Sequence, residues 1–305
     1  MKQKIEDIVT ANWEYDNVNI EKITEQIINL FESYAKSKMM LGSPTEMINE
    51  ERDYLDSLKE VKKETIAVWF SCGVASAVAA KKTIEKYGET HNILIVNNPV
   101  KNEHPDNLRF LADVENWLGY PIIKAVNKNY PNADIVEVFD KVKYVSGVGG
   151  APCTRELKKE ARYQFEKENK IDWHVLGFTI DEWDRQKRFN IGERENTIPV
   201  LINELITKQD CFKIVEKAGI KLPIIYSLGY PNANCIGCVK SQSPTYWNLV
   251  RATFPEVFEE RAIQSRRIGC KLVKLKGKRI YLDELPPDAK GGKIKSYDCG
   301  IFCDT

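Results

Sequence analysis

At 305 residues the chain is long enough to bury a large core, either as one sizeable domain or as one with appendages. Its 43% hydrophobic and 29% charged content suits a water-soluble globular protein, and no apolar run approaches the length of a membrane span. A formal net charge of +1 excludes a protein that holds nucleic acid by bulk positive charge, although a local basic face stays open.

The first residues, Met1-Lys2-Gln3-Lys4-Ile5-Glu6, lack the apolar run of a signal peptide, so a cytoplasmic location is expected. Eight cysteines in such a chain point to reduced thiols, metal ligation or redox chemistry more than to a disulfide frame. Residues 1–63 read as a charged helical extension. Apolar groups fall at helical spacing from Ile20 to Phe31, Gly42-Ser43-Pro44 breaks the pattern, and a second helix is expected from Met47 to Lys62. This extension is either a packing appendage or a dimer surface, and a homo-oligomer is expected.

From Thr65 the rhythm becomes strand and helix in alternation. Thr65–Phe70 reads as a buried strand and Ala77–Tyr87 as a helix stopped by Gly88. Strands follow at Asn92–Asn97, Pro121–Val126 and Trp173–Phe178, with helices at Asn107–Leu118 and Thr154–Lys167 between them. That alternation argues an α/β fold with a doubly wound, mainly parallel sheet over residues 64–200. Ligands of such sheets sit beyond the carboxyl ends of the strands, which points to Ser71–Ser76, to Asn97 and to Gly177-Phe178-Thr179. Residues 201–305 read as a cysteine-bearing region packed on the sheet domain. Helices are expected at Thr207–Ala218 and Pro244–Arg267, with a hairpin around Gly277-Lys278.

The string Ser71-Cys72-Gly73-Val74-Ala75-Ser76 joins the first strand to its helix. A strand, a small-residue loop and a helix aim backbone N–H groups and the positive end of a helix dipole at an anion. The string lacks the Gly-Lys-Ser/Thr ending of a Walker A loop and the three-glycine spacing of a dinucleotide fingerprint. Arg185 and Arg188, just past the fourth strand, add phosphate- or sulfate-binding chemistry at the same sheet edge.

The loop resembles the Ser-Gly-Gly-x-Asp-Ser loop of the PP-loop ATP pyrophosphatases, a superfamily that includes the phosphoadenosine phosphosulfate (PAPS) reductases and nucleic-acid sulfur-transfer enzymes. Here Cys72 replaces a glycine and Ala75 replaces the acidic residue that helps organise magnesium pyrophosphate. The string from Cys153 to Lys158 resembles the Cys-x-x-x-Leu-Lys element of the PAPS reductases. The later pair Cys235-Ile236-Gly237-Cys238 resembles the Cys-x-x-Cys of their iron–sulfur subset, with Pro152 standing where one ligand of that pattern would be. The tail Asp298-Cys299-Gly300-Ile301-Phe302 is similar to their Glu-Cys-Gly-Leu/Ile-His ending.

The resemblance implies an adenine nucleotide alpha hydrolase-like fold and a nucleotide, ATP or PAPS/adenylyl sulfate, on residues 71–76, with magnesium as a further expectation. It implies a 4Fe-4S cluster, or zinc, held by Cys153, Cys235, Cys238 and Cys299, with Cys303 as the alternative fourth thiolate. Three reactions remain open. In one, ATP adenylates an acceptor, for which a nucleic acid is a candidate, and sulfur arrives from a donor protein or through Cys153. In the second, Cys299 attacks an adenylyl sulfate and releases sulfite, with Cys303 resolving the intermediate and a thioredoxin-like partner reducing it. In the third, the chain binds nucleotide as a sensor without turnover, as Ala75 and Pro152 suggest.

Overall fold

The computed structural model describes residues 4, 26–30, 32–33, 63–147, 150–292 and 294. By internal contacts the chain falls into two compact units, Met1–Lys62 and Lys63–Thr305. In the first, residues 26–30 are helical, within the stretch whose apolar spacing predicts a helix. The second helix expected there lies outside the described residues, as do Cys299 and Cys303.

The second unit is built on four parallel strands: β1 (Thr65–Trp69), β2 (Asn92–Asn97), β3 (Ile122–Lys124) and β4 (Trp173–Val175). Their order across the sheet is β3-β2-β1-β4, so β2 and β3 are added on one side of β1 and β4 on the other. The α/β, doubly wound fold is therefore as the alternation implies. β1 lies at the centre and both its faces are covered, which is why its sequence is an unbroken apolar run. Ile66, Val68 and Phe70 pack into one core layer and Ala67 and Trp69 into the other, the two-residue period of a strand.

Helix α1 (Val74–Tyr87) covers the first of these layers. It starts at Val74 rather than Ala77 because Gly73, extended at φ −100°, already accepts the first helical bond from Ala77 N at 3.1 Å. Helix α2 (Asp106–Leu118) buries Phe110, Val114 and Leu118, one stripe at four-residue spacing. His104 accepts the Asp106 N–H at 3.1 Å, so its ring helps cap this helix. A helix that the sequence reading passes over, α3 (Ile135–Val142), is capped by the Asp134 carboxylate, which accepts from Val136 N at 2.8 Å.

The helix expected from Thr154 begins earlier, at Pro152, and is not uniform. A turn at Pro152–Thr154 runs into a π-helical stretch, Arg155–Glu160, and then into α4 (Ala161–Glu168). β4 is shorter than expected, ending at Val175, and α5 (Trp183–Gly192) follows it. After α6 (Lys208–Lys217), the single helix expected from Pro244 is in fact two, α7 (Pro244–Thr253) and α8 (Pro255–Ile268). Pro255 has no N–H to give and forces Phe254 to φ −141°, which breaks the run. The expected hairpin is present as β5 (Val273–Leu275) and β6 (Lys278–Ile280). Both Tyr246 and Trp247 are buried in a second core that α7 and α8 share with the cysteine-bearing loops. Among the described residues no helix is long and apolar enough to cross a membrane.

Candidate functional site

The reversal of strand order between β1 and β4 leaves a crevice beyond their carboxyl ends, where open α/β sheets bind their ligands. A cleft of about 910 Å³, open to solvent, lies there. One wall is the loop after β1, with Ser71, Gly73, Val74, Ala75 and Ser76 all on the lining. Gly177 and Phe178, after β4, face it. The floor and rim come from far along the chain, from Lys158, Lys208, Tyr226 and the segment Asn232–Asn234.

The loop is held open by its own serines. Ser76 Oγ donates to Gly73 O at 2.9 Å, accepts from Ser71 N at 3.1 Å, and lies 3.2 Å from Ser71 Oγ. Gly73 caps α1 without a side chain of its own, so the first amides of the helix keep their anion-binding character. Gly177 makes the close approach possible: a Cβ on it would lie 2.7 Å from Ser76 N. At Gly73 a Cβ would meet nothing nearer than the Tyr226 hydroxyl at 3.5 Å, so glycine there leaves room beside the hydroxyls rather than relieving a backbone clash.

Cys72 does not face the ligand. Its backbone is left-handed at φ +56°, which turns the thiol inward to the core, where Asn97 Nδ2 reaches Cys72 Sγ at 3.5 Å. Burial drives its pKa far above the ordinary thiol value, with Glu103 adding to the effect. Asn97 is likewise a buttress: its amide also donates to Phe70 O at 2.8 Å and it is not on the cleft lining. Its neighbour Asn98 is. Asn98 Nδ2 donates to Ala125 O at 2.9 Å, while its buried Oδ1 has no partner among the described residues. A ligand N–H or O–H would satisfy it.

Three cations, Lys158, Arg185 and Lys208, line the cleft against one carboxylate, Glu182, among the described residues. Arg185 donates to Glu182 at 2.9 Å and stacks 4.7 Å above the Phe178 ring. Lys208 Nζ holds the far rim through Pro231 O at 2.9 Å and Asn232 Oδ1 at 2.6 Å. Lys158 is buried on the π-helical stretch, 3.8 Å from Glu103. Arg188 is exposed and off the lining, and Thr179 is buried behind it, its N–H donating to Glu182 at 3.4 Å. Sequence reasoning missed Lys208, Tyr226 and the asparagines at 232 and 234, which no local motif marks. Lys158 was within reach, because it closes the Cys153 string.

Cys235 and Cys238 line a second, smaller cavity of about 290 Å³, which shares Asn232 and Asn234 with the cleft. Gly237 at φ +67° makes the tight turn between them, and Tyr246 Oη accepts the Cys238 N–H at 2.6 Å. Cys153 packs against the same core. The Arg261 guanidinium is buried beside Cys235 and Cys153, its Nε without a partner among the described residues. Such a cation favours negative sulfur. Among the described residues no three Cys, His, Asp or Glu side chains are grouped to hold a metal ion. Cys211 is buried in the sheet core, and Cys270 Sγ donates to Ser146 O at 3.3 Å. Both are structural.

No family model matches the chain, and no curated protein matches it. Among solved structures, the U34-tRNA thiolase NcsA from Methanococcus maripaludis with its 4Fe-4S cluster is similar over 67% of this chain and 69% of that one. The identity is 13% and the TM-score 0.39, so function has to be read from this chain's own cleft.

Proposed function

We propose that the chain is an adenine-nucleotide enzyme of the PP-loop type that adenylates an acceptor, so that sulfur can replace the activated oxygen. The observation that carries this is the placement of Ser71–Ser76 at the switch point of the sheet, with its helix N-terminus opening into a cation-rich cleft. The loop amides and the serine hydroxyls hold the pyrophosphate end of ATP. Arg185 and Lys208 offset its charge, and the flat walls of Trp69, Leu176 and Phe178 take the base. In the reaction an acceptor oxygen attacks the α-phosphorus and pyrophosphate leaves. A sulfur nucleophile then attacks the activated carbon and AMP leaves. Magnesium enters with the nucleotide as part of the substrate, since position 75 offers no carboxylate.

Sulfur handling is assigned to Cys235 and Cys238, beside the buried Arg261 and one short loop away from the cleft. A bound iron–sulfur centre would supply an open iron for a sulfide. The described donors do not group for a metal ion, so no step is routed through one. The adenylyl-sulfate reductase alternative rests on Cys299, outside the described residues. A second reading, nucleotide binding without cleavage, is favoured by Ala75.

Hydrogen exchange with and without ATP tests the proposal. ATP should slow exchange across residues 71–77, and pyrophosphate release should accompany turnover. ATP that leaves residues 71–77 unprotected at millimolar concentration would overturn it. Protection without pyrophosphate release would select the binding-only reading.

A further inference from the structure

Tyr226 reaches the loop from the short helix Ile224–Ser227, far from it in sequence. Its ring packs edge-on against Phe212 at 5.1 Å, which fixes its direction. Tyr226 lines the cleft, its hydroxyl 3.5 Å from where a Cβ on Gly73 would be, and the backbone N–H groups of Val74 and Ala233 lie near enough to its oxygen to favour negative charge there. A phenol oxygen has two lone pairs and one proton. With two N–H groups near the oxygen and the Ser71 and Ser76 hydroxyls beside the same space, the proton is what the group can offer an anion there. Burial, the largest influence, pushes its pKa up to about 12, so the phenol keeps that proton at neutral pH.

Resting on the nucleotide reading above, we infer that Tyr226 is a phosphate-binding residue, whose O–H donates to the anion held by the Ser71–Ser76 loop. The loop thus gains a donor that no residue of its own sequence supplies. The nearby Val74 N–H polarises that donor. Selectivity follows from this: the site favours an acceptor-only group, a di- or triphosphate end, over a ligand that presents a hydroxyl or amine there.

The test compares wild type, Tyr226→Phe and a protein carrying 3-fluorotyrosine at position 226, each titrated calorimetrically with inorganic pyrophosphate and with ATP. Tyr226→Phe should weaken both roughly ten- to hundredfold, the value of a hydrogen bond to a charged group. The fluorinated phenol is a stronger donor and a poorer acceptor. Donation to phosphate therefore predicts tighter binding, whereas a purely structural acceptor for Val74 and Ala233 predicts weaker or equal binding. Equal affinity of wild type and Tyr226→Phe, or weaker or equal binding by the fluorinated protein, overturns the assignment of Tyr226 alone. Failure of wild type to bind either ligand overturns the nucleotide reading and this assignment with it. If Tyr226→Phe melts early, the fluorinated protein decides.

Discussion

Gly177 and the backbone of Ser76 are in such close approach that a single methyl group on Gly177 would stand 2.7 Å from Ser76 N and 2.9 Å from its Cα. The two elements that form the cleft, the turn after β1 and the exit from β4, are therefore locked by the absence of a side chain. Gly177→Ala must push one backbone away from the other. It should cost about 1–3 kcal/mol in urea unfolding and weaken ATP binding together with stability. Gly73→Ala should separate the two effects. Its φ of −100° suits alanine and its nearest neighbours are at ordinary contact distance, so stability should change by under about 1 kcal/mol. The methyl would still sit among the hydroxyls of Ser71, Ser76 and Tyr226, and ATP affinity should fall about tenfold or more.

Cys72 should resist alkylation. Its thiol is buried in the sheet core and its pKa is pushed far up by that burial. Iodoacetamide at pH 8, followed by peptide mass spectrometry, should label Cys72 only after denaturation. Labelling in the folded protein would place its sulfur on the cleft side.

Lys158 combines a structural and a ligand-facing role, and a double substitution can divide them. Lys158 and Glu103 are 3.8 Å apart, with side chains 7% and 11% exposed. Lys158→Met removes the cation and leaves the carboxylate in a poorly solvated place, so it should destabilise by about 3 kcal/mol. Adding Glu103→Gln should recover most of that loss in chemical denaturation. Nucleotide affinity should not recover, because the positive charge in the cleft is still missing.

His174 gives the fold an acid limit. Burial, then the neighbouring Arg194 and Arg162, lower its pKa from 6.5 to about 3. Trp69 Nε1 donates to its Nδ1 at 3.1 Å, so a proton added to that nitrogen would break this hydrogen bond, and an Arg194 nitrogen lies 2.6 Å from Nε2. The folded state thus binds this proton less readily than the unfolded chain. The resulting stability is complete above about pH 6.5 and is lost as pH falls from there toward 3. The slope should approach about 1.4 kcal/mol per pH unit, and His174→Gln should remove that component from a urea series across this range.

The sheet and its first turn were legible because their signals are local. The apolar run of β1 needs cover on both faces, and small residues followed by Ala77-Val78-Ala79-Ala80 can only open a helix. The loop's direction toward a cleft followed from its place at the carboxyl end of a strand. The sequence could not show which way Cys72 turns, because a helix N-terminus and a left-handed backbone point the same thiol to opposite environments. Lys208 and Tyr226 carry no motif, and only tertiary packing brings them to Gly73 and Asn232. The break between α7 and α8 was visible in Pro255 and was overlooked in favour of helical periodicity.

The inward turn of Cys72 has a chemical consequence. If the chain moves sulfur as proposed, its bystander thiols have to stay out of the exchange. With its sulfur sealed behind the turn that grips the anion, residue 72 is shielded from any oxidant or persulfide that enters by the substrate's route. On the proposed function, nucleotide binding should then be insensitive to oxidants that reach the cleft.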